Sequence, residues 1–138
     1  MLEKKGDSER PVIPIAIGPH IFQEVVYDFG ASVNIMPKVI YDKINGDTLL
    51  YTNMRLQLVD QSLCLPKGVL EDAIIRVGQS FVPMDFMVLE TGGDERAPII
   101  LGQPFLSTVK AIIYMDSAKI YFTIKNRKEK FTFKNHIL

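Results

Sequence analysis

The run Val25-Val26-Tyr27-Asp28-Phe29-Gly30-Ala31-Ser32 constrains this chain more than any other segment. Its first residues are apolar and β-branched, the composition of a strand, and they deliver one carboxylate straight into a glycine turn. Desolvating an ionised carboxylate costs several kcal/mol unless it is paired or hydrogen-bonded. An acid at such a place is therefore held by backbone amides or put to use. Gly30, two residues on, permits the tight turn that would set Asp28 against those amides. That is the local construction of an active-site aspartate. Asp and Gly after a strand are also ordinary turn chemistry, and these residues by themselves favour the plain turn.

Composition narrows the chemistry. A chain of 138 residues, 47% of them hydrophobic, is one domain with a real core. Residues 1–10 are charged and are expected to form a disordered tail, leaving 11–135 as the domain. Sixteen Lys and Arg balance sixteen Asp and Glu, so no net field steers the chain toward nucleic acid or an anionic membrane. The basic cluster Lys125-Asn126-Arg127-Lys128-Glu129-Lys130 is read as the solvated turn of a hairpin. Cys64 stands alone, which rules out an internal disulfide and suits a reducing compartment. No signal peptide or membrane-length apolar run is evident, so a cytoplasmic protein is expected.

His20 and His136 lack metal-ligand spacing, and one Cys makes a zinc site implausible. Gly92-Gly93 lies in an acidic stretch that repels phosphate. Ser32 has neither a Gly-x-Ser-x-Gly setting nor a nearby His. No metal or cofactor is expected, and carboxylates are what remains.

The patterning is almost all strand from Val12 onward. Ile13 to Ile17, a turn at Gly18-Pro19-His20, and Ile21 to Tyr27 predict a hairpin that leads into Asp28. One helix is predicted after Pro37, with Ile40 and Ile44 on one face and Asn45-Gly46 at its end. Leu56 to Val59 and Leu63 to Leu65 predict a second hairpin with Asp60-Gln61-Ser62 at its polar tip. Val69 to Val77 and Phe81 to Leu89 predict a third, around Gly78. Pro98 to Leu106 reads as a strand with a glycine turn. Ala111 to Met115, Lys119 to Lys125 and Lys130 to Lys134 read as the last strands. Ile15-x-Ile17-Gly18-x-x-Ile21 recurs as Ile75-x-Val77-Gly78-x-x-Phe81. Each copy is followed by an apolar strand into a glycine, the sign of a two-fold-repeated β fold.

Three segments, Asp28 to Pro37, Leu56 to Ser62 and Pro98 to Leu106, together resemble the retropepsin family of aspartic proteases. The similarity is greatest to the protease domain in polyproteins of plant gypsy-type long-terminal-repeat retrotransposons, and it spans about Val12 to Phe133. The resemblance implies an all-β fold with one short helix or two: a closed β-barrel of acid-protease type with a two-fold pseudo-repeat, active as a homodimer. It implies that Asp28 is catalytic, within an active-site loop of Phe29, Gly30, Ala31 and Ser32. Asp60, Gln61 and Ser62 would form the flap tip. Gly102 would occupy the equivalent loop of the second half, with Ile99 and Leu101 lining substrate pockets. The implied partners are a second copy and a peptide or polyprotein substrate, with no nucleic acid and no membrane. The implied setting is the cytoplasm, including virus-like particles.

Peptide hydrolysis of this kind uses two carboxylates about 3 Å apart that share one proton. The chain offers Asp28, while the equivalent point at Leu101-Gly102 carries no acid, so the second carboxylate is expected from a symmetric partner. Three features depart from the family pattern, one of them a flap tip, Asp60-Gln61-Ser62, that carries no glycine. Phe29 stands where a Thr or Ser hydroxyl ordinarily bonds across the dimer, and Gln103 stands where a basic residue is frequent. A degenerate domain that binds peptide or self-associates without cleaving is the alternative expectation. An unrelated β-barrel interaction module is a third.

Overall fold

A computed structural model describes residues 13–57, 63–92 and 96–132. The expected limits of the tail and domain, the flap tip and the end of the last strand lie outside the described residues. Among the described residues, no helix is long and apolar enough to cross a membrane.

The backbone of the fold is the hairpin of β7 (Gly68–Val77) and β8 (Ser80–Leu89). Alternation buries Ile75, Val77, Val82, Met84 and Phe86 on one side, while Ile74, Phe81 and Asp85 face outward. A two-residue loop joins Val77 to Ser80 across Gly78, whose φ of +59° suits glycine. Mid-hairpin, a register shift between Leu70 and Ala73 leaves Asp72 at φ +56°, and its N–H donates to Asp85 Oδ1 (2.9 Å). Asp85 therefore satisfies a β-bulge.

On either side stand β1 (Ile15–Ile17), β2 (His20–Phe22), β3 (Val25–Tyr27), β4 (Ile35–Pro37) and β9 (Ile99–Leu101). The order β2-β1-β7-β8-β4-β9-β3 forms a seven-stranded sheet curled into a nearly closed barrel. The first hairpin is shorter than expected. His20 is already in β2, pairing with Ile17, and the strand breaks at the exposed Gln23 and Glu24. Beyond the break, β3 leaves its hairpin and pairs in parallel with β9, Val25 to Ile99 and Tyr27 to Leu101. The two halves of the repeat thus meet side by side, each strand running toward its own glycine-bearing loop.

Helix α1 (Lys38–Ile44) follows the extended Pro37 and ends at Asn45 in the left-handed region (φ +53°), as its end signals predict. A second helix, α2 (Gln103–Thr108), replaces the end of the strand expected over Pro98 to Leu106. Pro104 sits in its first turn, where a missing N–H costs nothing. Phe105, Leu106 and Val109 are buried while Gln103, Ser107 and Thr108 are exposed, a helical rather than a strand period.

A separate three-stranded sheet of β10 (Ile112–Tyr114), β11 (Lys119–Ile124) and β12 (Arg127–Thr132) packs beneath β3. Lys125 and Asn126 both have positive φ, the two-residue turn that right-twisted strands favour. The basic cluster is therefore mostly strand, not turn. Phe122 meets Tyr27 at 5.9 Å, Phe105 at 5.6 Å and Phe131 at 5.4 Å between ring centroids. Burying each such ring contributes about 2–3 kcal/mol. The Tyr27 hydroxyl donates to the Ile13 carbonyl (3.0 Å), and burial pushes its pKa well above the ordinary tyrosine range. The cluster fixes the strand that carries Asp28. Between β4 and β7, β5 (Leu56–Gln57) and β6 (Leu63–Cys64) pair antiparallel at the base of the second hairpin.

Candidate active site

Asp28 follows directly on β3. Its N–H donates to the Leu101 carbonyl (2.9 Å), which continues the β3–β9 pairing into the turn, and its own carbonyl accepts from Ala31 N–H (3.2 Å). Asp28 Oδ1 accepts the Gly30 N–H at 2.8 Å. A Cβ on residue 30 would stand 3.3 Å from that oxygen, so glycine leaves the carboxylate room to lie against the amide. Asp28 is half-buried, Gly30 and Ser32 are exposed, and Ala31 is half-buried. Phe29, 44% exposed, presents a large apolar ring to solvent beside the carboxylate.

The second half holds this loop from below. Gly102 lies so close that a Cβ there would meet the carbonyl oxygens of Ala31 and Val33, each at 2.6 Å. The next residue, Gln103, donates its backbone N–H to Ala31 O (2.8 Å) and its Nε2–H to Phe29 O (2.6 Å). Gln103 thus holds the loop with neutral hydrogen bonds.

Asn34 completes the support, a role the sequence reading did not assign. It is 1% exposed, its Oδ1 accepts the Gly102 N–H (2.8 Å), and its Nδ2 donates to Asp85 O (3.1 Å) and Met84 Sδ (3.4 Å). The signal was available: one amide sits in the otherwise apolar run Val33-Asn34-Ile35-Met36, and a buried amide needs partners.

The substrate-lining residues need correction. Ile99 and Leu101 are fully buried in the core of this chain, so they cannot line an open pocket. Strand alternation turns Ile100 the other way; it pairs with Val26, and both are half-buried on the side of their strands that Asp28 continues. The structure therefore brings together Asp28, Phe29, Gly30, Ala31, Ser32 and Gly102, with Val26 and Ile100 beside them. The expected flap residues Asp60, Gln61 and Ser62 lie outside the described residues.

No protein-family model matches the sequence, and no curated protein matches it. Among solved structures, the chain is similar to the crystal structure of the retroviral protease-like domain of Ddi1 from Leishmania major. The TM-score is 0.63 at 18% sequence identity, covering 86% of this chain and 90% of that one. At that identity the likeness is one of fold. The chain has a retropepsin-like fold: a mostly β domain with two helices and a nearly closed barrel.

Proposed function

We propose that this chain is an aspartic endopeptidase of retroviral type that works as a homodimer. The observation that carries the reading is the Asp28 loop: a half-buried carboxylate oriented by the Gly30 amide and seated on an acid-free glycine of the second half. One such loop supplies one carboxylate, and a two-fold axis supplies the other.

In the dimer one Asp28 is ionised and the other protonated, because two like charges at about 3 Å cannot both ionise. The ionised carboxylate takes a proton from a water as the water oxygen bonds to the peptide carbonyl carbon. The protonated one gives its proton to the carbonyl oxygen. Collapse of the resulting diol breaks the C–N bond, the amine leaves with a proton, and the pair returns with one shared proton. Substrate lies extended, adding its backbone to the hairpin of β5 and β6 as a further strand. Val26 and Ile100 offer the apolar contacts nearest the carboxylates. The sequence resemblance makes the natural substrate a retrotransposon polyprotein processed in the cytoplasm or in virus-like particles.

Phe29 favours a second reading, a domain that keeps the fold and self-associates or binds peptide without cleaving. It has no hydroxyl to bond across the axis, and only packing of its exposed ring could tie the two loops together. The deciding experiment is cleavage of a diverse peptide mixture at high protein concentration from acidic to neutral pH, with Asp28→Asn prepared identically. The protease reading expects cleavage by the first and none by the second. A folded dimer that cleaves nothing selects the second reading.

A further inference from the structure

The outer face of the three-stranded sheet has a chemistry that the Asp28 loop does not use. Ile120, Phe122 and Ile124 of β11 point into the core, so Lys119, Tyr121 and Thr123 point out. The register sets Ile112 and Lys130 beside Tyr121, Tyr114 beside Lys119, and Lys128 beside Thr123. Ile112, Tyr114, Lys119, Tyr121, Thr123 and Lys128 line one open hollow of about 410 Å³. The Tyr114 and Tyr121 rings meet edge to face with centroids 5.6 Å apart, and Lys128 Nζ lies 5.8 Å from the Tyr121 ring centre. Tyr114 is 48% exposed.

Charge is segregated here although the whole chain is neutral. Residues 112–132 hold five Lys and Arg against two acids, and of the five Lys119, Lys128 and Lys130 lie on the outer face while Arg127 pairs with the inward Ile124. One of the acids, Glu129, is turned away: its Oε2 accepts the Ser80 hydroxyl (2.7 Å) and the Gln79 N–H (3.1 Å). The other, Asp116, sits in the β10–β11 turn. Lys128 and Lys130 are two residues apart on one strand, about 6.8 Å along it, beside paired aromatic rings.

We propose that this face binds single-stranded nucleic acid. A row of lysines complements a phosphate backbone, and the exposed Tyr114 ring with the half-buried Tyr121 ring against it gives unpaired bases a surface to stack on, the combination that sequence-tolerant single-strand binders use. An acidic peptide would use the lysines and gain nothing from the rings. The binding departs from what the net charge implies, because alternation on β11 and β12 sets Lys119 on one face with Lys128 and Lys130 of the basic cluster.

The test is fluorescence anisotropy of a labelled oligo(dT), titrated with the full chain at 50 and 200 mM salt, beside a labelled poly-glutamate of equal length. Three lysine–phosphate contacts predict that the association constant falls about 20-fold between the two salt concentrations. Removing one stacking ring by Tyr121→Ala or Tyr114→Ala is expected to weaken binding about tenfold, and Lys128→Glu with Lys130→Glu to flatten the salt dependence. Thermal melts establish that these surface variants are folded. Absence of binding at 50 mM salt, equal affinity for poly-glutamate, or unchanged binding by the tyrosine variants overturns the proposal. So does sedimentation showing that the same variants dissociate a dimer, which would make the face an interface between copies.

Discussion

Replacing Gly102 by Ala puts the support of the Asp28 loop to a quantitative test. Gly102 has φ −102° and ψ −155°, an extended conformation open to any residue, so backbone strain contributes nothing to the outcome. The whole effect comes from the new Cβ, which would lie 2.6 Å from two carbonyl oxygens, Ala31 O and Val33 O. Reaching even 3.0 Å requires the loop or the start of α2 to move by about 0.4 Å at each contact. Both contacts are backbone, and Ala31 O already accepts Gln103 N–H. Overpacking of this kind costs about 1–3 kcal/mol, and weakening that hydrogen bond costs about 1 kcal/mol more. The lower entropy of the unfolded alanine chain offsets roughly 0.7 kcal/mol. The net loss is about 2 kcal/mol, which for a domain of this size lowers Tm by about 7 °C. Differential scanning calorimetry at fixed protein concentration measures it. Gly18→Ala is the control: its φ is +56° with nothing within 4 Å of the new Cβ, so it pays only for left-handed backbone, about 1 kcal/mol. A Gly102→Ala melt within about 2 °C of the parent, or above that of Gly18→Ala, refutes the close seating of the loop on the second half.

Three further outcomes follow from the same geometry. Asn34→Leu leaves the buried Gly102 N–H and Asp85 carbonyl without their side-chain partner, and a loss of about 2–4 kcal/mol by urea titration is expected. Tyr27→Phe changes the alkaline limb of stability. The native pKa is raised by burial, so the folded state holds its proton while the unfolded tyrosine ionises above about pH 10. The parent therefore loses about 1.4 kcal/mol per pH unit beyond that point from this group, and the difference between parent and Tyr27→Phe in urea titrations at pH 10 and 11 reads it directly. Gln103→Ala removes an exposed hydrogen bond to the Phe29 carbonyl, so Tm is expected to move by at most about 3 °C, while peptidase kcat falls because the loop loses a support. A lowered Tm with kcat unchanged would assign Gln103 to stability alone.

Much of this fold is written in local patterns. The β7–β8 hairpin, the end signals of α1 and the apolar run into Asp28 are short-range features, and the structure forms them where alternation and turn chemistry put them. What alternation does not encode is the partner of a strand. Ile21 to Tyr27 is one apolar run interrupted by Gln23 and Glu24, and its division into two strands follows from β9, far along the chain, claiming Val25 to Tyr27. The assignment of Ile99 and Leu101 to substrate failed for the same reason. The run Pro98-Ile99-Ile100-Leu101 is apolar on both faces, so the sequence does not say which side is core. Helix α2 was hidden by a six-residue length, too short for a period to stand out against the strand before it. At the candidate site, Asp28 and Gly102 were legible as an acid and a glycine that each end an apolar run. The hydrogen bonds of Asn34 and Gln103 that join them across the fold appear only once the two halves are packed.

The central claim is that two copies each contribute Asp28 to one catalytic pair, and mixing tests it most directly. Parent chain at fixed concentration is equilibrated with an equal amount of Asp28→Asn, and peptide cleavage per parent chain is measured at a total concentration that saturates dimerisation. Random pairing places about half of the parent chains in mixed dimers, so the account predicts that specific activity falls to about half. Specific activity unchanged by the added variant would mean that each chain cleaves with its own carboxylate, and would contradict the account.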